Sequence, residues 1–139
     1  MKSTVVIVFL FIMFQGFSQD FKKHQWKNRV LIVSTIDDTS SDFLKQIDLL
    51  KNLNQELKER KLIIYQIVND KYKVGFSSNF NSSNSISKKY VNTKKGLQII
   101  LIGLDGGVKL KQNYVLTAEK LFAIIDGMPM RKRELRKNK

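Results

Sequence analysis

The chain has no cysteine in its 139 residues. Disulfides, thiolate nucleophiles, iron-sulfur ligation and cysteine-zinc sites are therefore closed to it. Its one histidine, His24, has no second imidazole to join it. A metal site needs several converging ligands, so His24 is expected at the surface and neither a metal nor another cofactor is expected. No apolar run reaches the roughly 20 residues that cross a bilayer as a helix. Acidic residues are also scarce: 12 against 25 Lys and Arg, giving a formal net charge of +13 and a pI near 10.0. That imbalance invites a polyanion such as nucleic acid, anionic lipid headgroups or acidic glycan, with a plain solvated basic surface as the alternative.

The longest apolar run, residues 5–14, follows Lys2 and ends in QGFSQ, where Gly16 and Ser18 have the small-residue spacing of a peptidase site. Residues 1–18 read as a secretory signal peptide cleaved after Ser18. The remaining chain is expected outside the cytoplasm, periplasmic or secreted, without a permanent membrane span. It divides into a domain over residues 19–130 and a basic tail over 131–139, which is either solvated or a contact for an anionic surface. The length suits one domain with a core and is too short for two.

The organising stretch is residues 97–113, LQIILIGLDGGVKLKQN. Leu97, Ile99, Ile100, Leu101 and Ile102 are apolar on both alternating faces, as in a central strand covered on both sides. Asp105-Gly106-Gly107 supplies the turn. An edge strand then returns with Val108 and Leu110 expected inward and Lys109 and Lys111 outward. RVLIVST (29–35) and LIIYQIV (62–68) read as two further buried strands. Between them, IDDTSSD (36–42) caps a helix expected to run on to Arg60, with Phe43, Leu44, Ile47, Leu50, Leu53 and Leu57 inward and Gln46 among the solvated residues. Asp37, Asp38 and Asp42 lack the ligand alternation and glycine of a calcium loop.

Residues 69–96 shift to Ser, Asn and Lys and read as a variable loop segment with one short helix near Ile86, Tyr90 and Val91. Lys88, Lys89, Lys94 and Lys95 with Tyr72, Phe76, Phe80 and Tyr90 could form an aromatic basic surface, against the plainer reading of a solvated loop. Thr117 is expected to cap a last helix ending at Gly127, with Pro129 barring its continuation. Trp26, just before a strand, is expected to cap the core, with a ligand-stacking platform as its other reading.

The order of elements, βαβ followed by ββα, predicts an α/β fold with a mixed central sheet and helices on both faces, a thioredoxin-like arrangement, with an open α/β sheet of another topology as the alternative. The segments WKNRVLIV (26–33), LKERKLIIYQIV (57–68), LIGLDGGVKL (101–110) and LFAIIDGMPMRKREL (121–135) resemble a thioredoxin-like domain of unknown function. That family occurs in bacterial secreted proteins and, as a module, in vertebrate extracellular proteins of the equarin and sushi-repeat group. The DGG hairpin and IDGMPMR are the most specific matches. The resemblance implies a relative of thioredoxins and peroxiredoxins and carries over no catalytic residues.

The redox cysteine of such proteins would lie in the loop after the first strand, where this chain has only hydroxyls and carboxylates at residues 34–42. A serine neither ionises near neutral pH nor forms a mixed disulfide, so thiol redox chemistry is excluded. The leading expectation is a secreted, non-catalytic binding module whose Arg131, Arg133, Lys109, Lys111 and Trp26 meet an anionic partner such as a glycan, the envelope surface or a protein. Arg131 and Arg133 have a second, structural reading as ion-pair partners of Asp126 and Glu134. The alternative function is a thiol-independent peroxiredoxin-related or hydrolytic enzyme using Ser34, Thr35 and Asp37, with Arg29 nearby. Export argues against nucleic acid.

Overall fold

The computed structural model describes residues 21–82, 90 and 96–139. The expected signal peptide lies outside the described residues, as do Ile86, Val91 and the lysines at 88, 89, 94 and 95.

Three strands follow the two-sided apolar pattern. β1 (Arg29–Thr35) is buried throughout, β2 (Leu62–Val68) pairs with it in parallel, and β5 (Gln98–Ile102) pairs with its other side antiparallel. β6 (Val108–Gln112) returns along β5, while β3 (Lys71–Val74) and β4 (Asn81–Ser82) extend the opposite edge. The result is one six-stranded mixed sheet in the order β4-β3-β2-β1-β5-β6. β3 and β4 correct the expectation of a loop there. Asn69 takes φ +52, which lets the two-residue turn Asn69-Asp70 reverse the chain, and KYKV has too little apolar content to announce a strand.

One sheet face carries Leu31, Val33, Ile64, Ile99 and Leu101 beneath the helices α1 (Ser41–Leu50), α2 (Asn54–Glu59) and α3 (Ala118–Asp126). The other carries Val30, Ile32, Tyr65, Ile67, Ile100 and Ile102 against Phe21 and Tyr90. Each of these buried apolar side chains contributes on the order of 1.5–3 kcal/mol. A 3-10 turn (Lys22–His24) follows Phe21 on that second face.

Ser40 and Thr117 cap α1 and α3, their hydroxyls accepting from the N–H groups of Phe43 and Lys120. The long helix expected up to Arg60 is instead two. Residues 51–53 interrupt it, with Leu53 at φ −106 and ψ 35 between Asn52 and Asn54, residues of low helix propensity. Gln46 is buried, correcting its solvated placement.

Pro129 ends the α3 run but opens α4 (Pro129–Lys137) as its first residue, where its missing N–H costs nothing. The boundary drawn at Arg131 therefore falls inside a helix. Gly127 closes α3 at φ −78, so no left-handed turn is needed there.

In the hairpin, Gly106 takes φ +82 and Asp105 Oδ1 accepts from the Gly107 N–H at 2.9 Å. Val108, expected inward, is 50% exposed. Leu101 pairs with Leu110 but Ile102 pairs with Val108, so Lys109 is an extra residue that moves Val108 to the opposite sheet face.

Candidate functional site

The polar residues at the end of β1 and just after it are committed to holding the loop. Ser34 and Thr35 are buried. Ser34 Oγ donates to the Tyr90 carbonyl at 2.8 Å, and Thr35 Oγ1 reaches the Gly96 carbonyl while accepting from the Asp37 N–H at 3.1 Å. Asp37 Oδ1 accepts from the Thr39 hydroxyl at 2.6 Å and its N–H at 2.9 Å, and these two bonds hold its carboxyl below the usual range against a small opposing desolvation. A nucleophilic hydroxyl needs a positioned base, and the one imidazole is engaged elsewhere. Arg29 stands at the start of β1, about 20 Å from Thr35 along the strand. Among the described residues no cluster of His, Asp and Glu could hold a metal.

His24 corrects its surface placement. Its Nε2 lies 2.7 Å from the Tyr65 hydroxyl, within a group of rings in which Phe21 stands edge-on to Tyr65 and Tyr90 and Tyr65 stacks on Tyr72. Partial burial, then the charges of Lys23 and Lys27, lower its pKa. Tyr72 and Tyr90 thus pack against the fold rather than forming a surface platform, while Phe80 lies under Lys73 at 4.5 Å.

At the opposite end of β1 the sheet closes with a network of four cations and three carboxylates. Arg29, fully buried, donates to the Arg60 carbonyl at 2.8 Å and reaches both Glu134 oxygens at 3.4 Å. Arg60 grips Asp126 at 3.1 and 2.9 Å and lies over the Phe122 ring at 4.2 Å. Arg131 bonds Asp126 and Glu59 at 3.1 Å each and Glu134 at 3.4 Å, while Lys61 stands 3.8 Å from Glu134. Burial would lower the Arg131 pKa, but the bonds to Asp126, Glu134 and Glu59 outweigh it and raise it. Of the two arginines given a structural reading, Arg131 fulfils it and Arg133 does not.

Arg131 is 2% exposed, so it is an anchor and not a surface cation. Its burial fixes the outward face of α4. Arg131, Glu134 and Leu135 face the body at spacings of three and four, which leaves Lys132, Arg133, Arg136 and Lys137 exposed in two adjacent pairs one turn apart. None of these four pairs with a carboxylate among the described residues. The carboxylates at this end are already held by Arg29, Arg60, Lys61 and Arg131, so the outer charges are uncompensated. Lys109 is bound to Asp105 at 2.9 Å, and Lys111 is exposed on the β6 edge.

Trp26 corrects the expectation of a core cap: it is 63% exposed and adopts φ +66. A bulky side chain in this left-handed region costs on the order of 1–3 kcal/mol. Its N–H donates to the Leu104 carbonyl at 2.7 Å, and Gln25 Nε2 donates to the Asp105 carbonyl at 3.0 Å, tying the turn to the DGG hairpin. The exposure of Trp26 had no local signal. The α4 face did have one, in the 131, 134, 135 spacing of MRKREL.

A six-stranded mixed sheet with β1 parallel to β2 and antiparallel to β5 defines a thioredoxin-like fold. Solved structures agree. The chain is similar to reduced 2-Cys peroxiredoxin of Plasmodium vivax (TM-score 0.60, 14% identity, 81% of this chain and 72% of that one). It is also similar to thioredoxin peroxidase I of Plasmodium yoelii (TM-score 0.59, 16% identity, 81% and 79%). At such identity the likeness shows the fold alone. The chain belongs to the family described as a domain of unknown function (DUF4174), which matches residues 20–134. No curated protein matches it.

Proposed function

We propose that this protein is an exported, non-thiol thioredoxin-like binding module whose α4 face meets an anionic partner outside the cytoplasm. The observation that carries the reading is the set Lys132, Arg133, Arg136 and Lys137, exposed on a helix that buried Arg131 holds in place and lacking carboxylate partners among the described residues. Such a surface attracts polyanions through charge alone, with an affinity that falls as salt rises. Lys111, on the β6 edge, adds to the same sign of field. The apolar run at residues 5–14 supports export. Peroxidase chemistry through a thiolate is closed to a chain without cysteine, and the hydroxyls of Ser34 and Thr35 are spent on main-chain carbonyls.

The test is retention of the protein on immobilised heparin under a salt gradient. Late, salt-dependent elution supports the reading. Elution with the void volume at low salt overturns it. Cell fractionation with an antibody to the protein tests export, which would fail if the full-length form stayed in the cytoplasm.

A further inference from the structure

We propose that Trp26, flanked by Lys23 and Lys27, is a stacking subsite for a uronic-acid residue of an acidic glycan. The inference rests on the anionic-partner reading above and names the chemistry of that partner. Trp26 belongs to neither apolar cluster, and 63% of it is open to solvent. Its flanks are nevertheless fixed. Phe21 is buried, His24 meets Tyr65 at 2.7 Å, the Trp26 N–H holds the Leu104 carbonyl, and Arg29 is locked in the ion network. The indole is therefore presented from an anchored turn in a conformation, φ +66, that such a side chain rarely takes. Strain of this kind is retained where the surrounding structure enforces it, and it concentrates at binding positions.

The neighbours set the ligand class. Lys23 and Lys27 are exposed and unpaired among the described residues, three positions before the indole and one after it. An indole face accepts the C–H face of a pyranose ring, and two ammonium groups carried by the same turn suit a ring carboxylate. A bilayer surface fits less well, because Lys22, Lys23, Gln25, Lys27 and Asn28 give the indole no apolar company in the turn with which to insert. The subsite lies just before β1, at the end of the sheet where Arg29 meets Glu134 of α4.

Trp26 is the chain's only tryptophan, so its emission reports on this site alone. The protein is titrated with trigalacturonate, with neutral maltotriose as the control. The expected result is a saturable change in emission with trigalacturonate alone, weakened by added salt and reduced roughly tenfold in affinity by K23Q/K27Q. Calorimetry on Trp26→Gly, which suits the same backbone conformation and so keeps the fold, should show no binding.

No emission change with trigalacturonate, or an equal change with maltotriose, overturns the proposal. So does a change confined to phosphatidylglycerol vesicles or to oligothymidylate, which would assign the indole to a lipid or nucleic-acid surface. Salt-dependent heparin retention with Trp26 emission unmoved would sink this subsite and leave the α4 reading standing. A saturable trigalacturonate response in a protein that heparin does not retain would support the subsite while the α4 reading failed.

Discussion

The side-chain amide of Gln46 meets the main chain of Leu116 at both ends. Its Nε2 donates to the Leu116 carbonyl at 2.9 Å and its Oε1 accepts from the Leu116 N–H at 2.6 Å. Both residues are fully buried, so this pair ties α1 to the approach to α3 at a place where an apolar side chain could not serve. Gln46→Leu preserves size but strands two buried main-chain groups. Each costs about 1–3 kcal/mol, so the variant should lose about 2–6 kcal/mol. Urea unfolding checks this, and a loss below about 0.5 kcal/mol would show that the amide is not needed.

The backbone at Trp26 makes a comparison between two small residues informative. Glycine takes φ +66 without penalty and alanine does not. Trp26→Gly should therefore be more stable than Trp26→Ala by about 1 kcal/mol in thermal or urea unfolding. Equal stability would mean that the turn relaxes once the indole is gone.

Arg131 forms its bonds to Asp126, Glu59 and Glu134 through separate nitrogens of one planar group. A lysine keeps the charge and cannot reproduce that fork. Arg131→Lys should cost about 1–3 kcal/mol and loosen α4, seen as faster hydrogen exchange of its amides. Unchanged exchange would contradict the anchoring role.

Burial alone would raise the Asp126 carboxyl, but its hydrogen bonds to Arg60 and then Arg131, followed by their charges, leave it below the ordinary value of 3.8. A depressed carboxyl stabilises the fold fully above that ordinary value and loses its contribution as pH falls through the lower folded value. The stability difference between the wild type and Asp126→Asn should accordingly be constant from neutral pH down to about 5 and shrink at more acid pH. Urea unfolding at several pH values reads this directly; a difference that grows on acidification would reverse the sign and contradict the ion network.

Much of the fold was legible because its central strands are apolar on both faces. The limits of β1 and β2 follow from the sequence, as does the cap Thr117, while the cap of α1 is narrowed there only to Ser40, Ser41 or Asp42 and packing selects Ser40. What escaped depends on distant partners. Gln46 reads as solvated because Leu116 is 70 residues away, and His24 reads as a surface group because Tyr65 is 41 away. Lys109 as an extra residue in β6 reversed the facing of Val108, a register effect that alternation cannot show. The candidate site was half legible. The sequence treats Arg131 and Arg133 alike, and only packing separates the buried anchor from the exposed cation.

The most direct measurement is the salt concentration at which three folded proteins leave immobilised heparin: the wild type, K132Q/R133Q/R136Q/K137Q, and S34A/T35V/D37N. If the α4 face carries recognition, the loop variant elutes with the wild type and the α4 variant elutes much earlier. If instead the α4 variant is retained like the wild type, or the loop variant is the one released, the partner is met elsewhere on the domain and this account is contradicted.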